Sequence, residues 1–171
     1  MRKIYLIITV LIITISTMTA CSSKSGENDL STILDIDVSL GTISHTQDSH
    51  GGFHNDGLLF TKITFTDETE SLENEINRSS LWTEMPLPES LNTLVYGNIS
   101  STESIGPYIT DEESNPLFPN VENGYYFFKD RHSESKNLSN DTDVLNRSSF
   151  NLTIAIYDED TKTIYFAELD T

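Results

Sequence analysis

Cysteine is almost absent: Cys21 is the only one among 171 residues. The chain beyond it therefore holds no disulfide, no thiol nucleophile and no cysteine-based metal site. Positive charge is also scarce, with 10 Lys and Arg against 27 Asp and Glu and a net charge of −17. That balance excludes nucleic acid and anionic lipid surfaces as partners, because both are held by clustered Lys and Arg. It bears on solubility and not on fold. No internal repeat is visible, and outside the N-terminus there is no long apolar run.

The N-terminus is the exception. Met1-Arg2-Lys3 opens the chain with positive charge, and an apolar run extends from Ile4 to Ala20. A basic start, an apolar stretch and small residues before a cut describe a secretory signal over residues 1–20. Met18-Thr19-Ala20-Cys21 resembles the lipobox of bacterial lipoproteins, in which the cysteine becomes the lipidated first residue of the mature chain. Met18 departs from the leucine usual at its position. The resemblance implies a diacylglyceryl group on Cys21, which supplies the two acyl chains that stable anchoring needs. The alternative is an uncleaved signal anchor, since roughly 20 apolar residues span a bilayer. Either way the body faces outward, because the positive residues stay on the cytoplasmic side. Loss of residues 1–20 removes Arg2 and Lys3 and no acid, which moves the net charge from −17 to −19.

Residues 21–31 read as a flexible tether, and 32–171 as a single β-rich extracytoplasmic domain. Leu34, Ile36, Val38 and Leu40 alternate with polar residues, the pattern of a half-buried strand. Residues 41–57 are polar and contain glycine, so they read as a loop. Leu58 to Phe65 suits a second strand. Asp67 caps a short helix, with Glu70 three residues on and Leu72 and Ile76 on one side; Trp82 packs its exit. Leu91 to Gly97 suits a third strand, and Gly124 to Asp130 an aromatic one. Asp141 to Asn146 forms a helical turn. Phe150 to Tyr157 and Thr163 to Leu169 make a hairpin that turns at Asp158-Glu159-Asp160-Thr161. The sum is an α+β, mainly β fold: a single antiparallel sheet of about five to six strands with one short helix packed on it.

Three of the four histidines, His45, His50 and His54, share one stretch with Asp48, Asp56, Gly51, Gly52 and Gly57. His50 and His54 with Asp48 or Asp56 offer nitrogen and oxygen ligands of the kind Zn²⁺ takes. A His–Asp pair also suits acid–base chemistry. Against both, Gly51-Gly52 suits a plain turn, and the spacing lacks the helical His-Glu-x-x-His pattern. Asp130-Arg131-His132-Ser133 follows the aromatic strand. Its Ser–His–Asp content suggests a hydrolase, but sequence neighbours rarely converge on one point and the nucleophile elbow G-x-S-x-G is absent. The sharper expectation is that Arg131 or His132 meets the His50–His54 loop in space. The acidic runs at Asp111-Glu112-Glu113 and Asp158-Glu159-Asp160 offer oxygen ligands for Ca²⁺ without the EF-hand pattern, and read as exposed turns.

With these residues laid out, the chain resembles an uncharacterised family of small exported lipoproteins from low-GC Gram-positive bacteria. The resemblance rests on Asp48 to Gly57, on Asn123 to His132 (NGYYFFKDRH) and on Arg147 to Thr153 (RSSFNLT). It implies the outer face of a Gram-positive cell membrane and no activity or cofactor. The expectation is a non-enzymatic surface module, held by lipid on Cys21, that binds a protein or small-molecule partner. The rival is a Zn²⁺ site on His50 and His54 with Asp48, Asp56 or His132.

Overall fold

The computed structural model describes residues 23–51, 56–66, 69–100 and 104–171. The signal run, Cys21, Gly52, His54 and the Asp67 cap lie outside the described residues. Among the described residues no helix is long and apolar enough to cross a membrane.

The helices are α1 (Ser23–Leu34), α2 (Thr69–Arg78) and α3 (Glu89–Tyr96). The strands are β1 (Thr42–Asp48), β2 (Gly57–Thr64), β3 (Trp82–Glu84), β4 (Asn98–Ile99), β5 (Ser104–Ile105), β6 (Gly124–Asp130), β7 (Asn151–Asp158) and β8 (Thr163–Asp170). Six strands form one sheet in the order β1-β2-β8-β7-β6-β3. Each neighbouring pair is antiparallel. β4 and β5 form a separate small pair.

Successive strand residues point to opposite faces of a sheet, and here both faces are covered. On one face Leu152, Ile154 and Ile156 of β7 join Tyr165, Ala167 and Leu169 of β8 beneath Leu91, Leu94 and Val95 of α3. On the other, Ala155, Tyr157, Ile164, Phe166 and Phe127 pack under Leu30 and Leu34 of α1 and Leu72 and Ile76 of α2. That double burial explains why β7 is almost continuously buried. The indole of Trp82 donates to the carbonyl of Leu34 at 2.9 Å, closing the end of α1 in the core. Tyr157 reaches Glu73 of α2 at 3.0 Å, and Lys162 meets the same carboxylate at 2.6 Å.

Several expectations change. Among the described residues one short helix becomes three, and the single sheet gains the small β4–β5 pair beside it. The tether segment is helical from Ser23, and Leu30 is buried. Leu34, Ile36 and Val38 are buried as their alternation requires, but not in a strand. Asp35 takes a φ of 56°, which ends α1 and bends the chain, and Leu40 is exposed. Residues 91–96 belong to α3, because Leu91, Leu94 and Val95 fall at the i, i+3, i+4 spacing of one helix face. Residues 42–48 form β1, an edge strand exposed along most of its length, so it carries no apolar alternation to read. Asp141 to Asn146 contracts to a 3₁₀ turn at Val144–Asn146.

Candidate functional site

β1 and β2 form a hairpin, and residues 49–51 beyond β1 stay close against the start of β2. Ser49 donates its backbone N–H to the Leu58 carbonyl at 3.0 Å, and Gly51 bridges to Asp56. The His50 backbone crosses directly over Gly57. A Cβ on Gly57 would lie 2.5 Å from both the nitrogen and the Cα of His50, so only glycine permits the crossing.

The crossing sets the His50 ring between two carboxylates. Its Nδ1 lies 2.7 Å from Asp48 Oδ1, and its Nε2 lies 3.2 Å from Asp170 Oδ2. The His50 backbone N–H and ring hold the Asp48 carboxyl below its ordinary range. Asp170 is the last residue of β8, opposite Gly57 of β2 and Asn151 of β7.

Arg131 approaches Asp170 from the other side. One guanidinium nitrogen lies 3.1 Å from Asp170 Oδ1 and 3.8 Å from Glu168, and also donates to the Leu152 carbonyl at 3.1 Å. Its Nε donates to Thr153 Oγ1 at 3.0 Å, and Thr153 donates onward to Glu168 at 3.1 Å. A chain of polar contacts thus runs Asp48–His50–Asp170–Arg131–Glu168 across the sheet end. Low exposure raises the worth of the His50–Asp170 contact, since the His50 side chain is 13% exposed and Asp170 23%, whereas Asp48 is 56% exposed.

His132 meets different partners. Its Nδ1 accepts the Glu134 N–H at 3.2 Å, which leaves the proton of the neutral ring on Nε2, facing Ser149 Oγ at 3.2 Å. In this arrangement the imidazole donates to Ser149 and cannot accept its proton, so the pair is not a general base with its nucleophile. Asp130 is 1% exposed and pairs with Arg147 at 2.6 Å. It binds the His132 backbone and not the ring. Ser133, Asp130 and His132 therefore form no triad.

These segments border an open hollow of about 520 Å³ lined by Asp56, Arg131, His132, Ser149, Asn151 and Asp170, among others. Asn151 Oδ1 is buried at its wall, and among the described residues it meets no donor. Of the sequence candidates, Asp48, His50 and Arg131 join one chain through Asp170. Asp56 and His132 line the hollow beside it, and Gly51 closes the loop. No group of three His, Asp or Glu side chains is placed to hold a metal ion among the described residues. Asp170, Glu168, Thr153, Asn151 and Ser149 were not singled out in the sequence; only the strand alternation that puts Thr153, Glu168 and Asp170 on one face pointed toward them. The acidic turns are accounted for locally. Asp158 binds Asp160 and Thr161 within the hairpin, and Asp111 accepts from Glu113 and Asn115.

The chain matches no protein-family model, no curated protein and no solved structure.

Proposed function

We propose that this chain is a lipid-anchored, non-enzymatic binding module on the outer face of a bacterial membrane, with its ligand site in the hollow at the β2–β8–β7 sheet end. One observation carries the site: three chain segments far apart in sequence, at His50, Arg131 and the end of β8, converge there and are tied together through Asp170. A few convergent polar groups that fix a ligand's orientation are one feature of small-molecule sites. The His132–Ser149 geometry supports binding over hydrolysis. The anchor half of the reading rests on the lipobox-like segment ending at Cys21.

The Zn²⁺ reading asks His50 to give up a carboxylate at one ring nitrogen before it can ligate, and its second ligand, His54, lies outside the described residues.

Full-length protein in detergent tests the reading by thermal shift against free amino acids, diamines, hexoses, dicarboxylates and Zn²⁺. Compounds of one organic class should raise the Tm of the native chain and lose their effect on Asp170→Asn. Failure of every class would contradict the reading. A Zn²⁺ shift abolished by His50→Ala would favour the metal site, and turnover lost on Ser149→Ala would show an enzyme.

A further inference from the structure

Asp130 carries a buried carboxylate that has no part in the Asp170 network. It ends β6, opposite Leu152 of β7, and is 1% exposed. Past this pair the two chains part and become borders of the hollow. Arg131, His132 and Ser133 run along one side, and Ser149, Phe150 and Asn151 along the other.

The Asp130 carboxylate is tied to both borders. Its Oδ1 accepts the His132 N–H at 3.1 Å, just past the end of β6. Its Oδ2 lies 2.6 Å from Nη1 of Arg147, whose side chain is 14% exposed. On the far border, Phe150 is fixed to Thr171, just past β8, by its N–H at 2.7 Å and its carbonyl at 2.8 Å. Ser149 is therefore held between the Thr171 tie and the Arg147 tie. The His132 ring meets its hydroxyl across the gap at 3.2 Å.

Stability does not explain the pair. Taking two charges out of water is costly, and their attraction offsets the cost only where the geometry is good and further hydrogen bonds complete it. Among the described residues Oδ2 accepts no aligned hydrogen bond. Apolar side chains of similar size often replace such a pair with no loss of stability. Apolar side chains cannot, however, hold a backbone N–H with one atom and a guanidinium with another.

We infer that Asp130 and Arg147 are positioning residues: their buried pair fixes the spacing of the His132 and Ser149 borders and contributes that geometry rather than stability. That the geometry serves a ligand rests on the binding-module reading above; the geometry itself does not.

Asp130→Leu combined with Arg147→Met replaces the pair by apolar side chains in the full-length protein in detergent. The double variant should keep the native urea midpoint. The nuclear Overhauser contact between the His132 ring and the Ser149 side chain should be present in the native chain and lost in the variant. The contact between His45 and Phe60, whose ring centroids lie 6.1 Å apart, should persist in both. A lowered midpoint, or a variant that does not fold, would overturn the inference, because the pair would then be holding the fold. A native midpoint with the His132–Ser149 contact intact would overturn it too, because the borders would be set without the pair. No ligand enters this test, so a chain that binds none of the compounds above loses the binding-module reading and leaves this inference to the His132–Ser149 contact.

Discussion

Gly57 and Asp170 do the most at the scale of single residues. Gly57 gives the His50 backbone room to cross β2, and the crossing alone brings the ring to Asp170. Gly57→Ala should therefore push the loop outward and separate His50 from Asp170. Nitrogen-15 spectra of the histidine ring check this: the His50 signals should move in the variant and those of His45 should not. Unmoved His50 signals would mean that the loop accepts a Cβ. His50, Asp48 and Arg131 stood out in the sequence because polar residues and glycines crowded around them. Asp170 did not. It lies 120 positions from His50 and looks like an ordinary strand end, and only the β2–β8 pairing brings the two together.

At the scale of elements, legibility followed burial. β2, α2, β6 and the β7–β8 hairpin were readable because their apolar residues repeat at the period of the structure they form. β1 was not, because an exposed edge strand needs no apolar face. α3 was misread because Thr93 and Val95 favour strands, while the spacing of Leu91, Leu94 and Val95 is helical; packing on the sheet decided in favour of spacing. Leu94 is fully buried there. Leu94→Ala should cost about 2–5 kcal/mol in denaturant unfolding, the range for a buried leucine lost from a core. A cost well under 1 kcal/mol would mean that α3 is only loosely seated, since an interior leucine cannot be removed so cheaply.

For the whole molecule, charge sets the conditions of stability. Asp48, Glu73 and Asp111 all have carboxyls held below their ordinary values, by His50, Lys162 and Asn115 respectively. A lowered folded value contributes stability above the unfolded one, near pH 4, and loses it as pH falls through the folded value. Tyr157 is the opposite case: burial first, then Glu73, raises its phenol far above 10.0. Its contribution is complete below that value and is lost as pH rises beyond it. The chain should therefore keep a broad plateau of stability between roughly pH 4 and pH 10, with loss on both sides, as urea midpoints across pH would show. A sharp maximum near neutrality would contradict the assignment. Salt should raise the plateau by screening the net charge of −17.

The same scale holds the central proposal, that the hollow around Asp170 at the sheet end is the ligand site. Amide hydrogen exchange of the full-length protein in detergent tests it most directly, with and without the compound that gives the largest thermal shift. Residues 48–51, 131–133, 149–151 and 168–171 should slow together, because Asp170 and its neighbours couple them into one site. Protection confined to the α1 and α2 face, with those four segments unchanged, would contradict it.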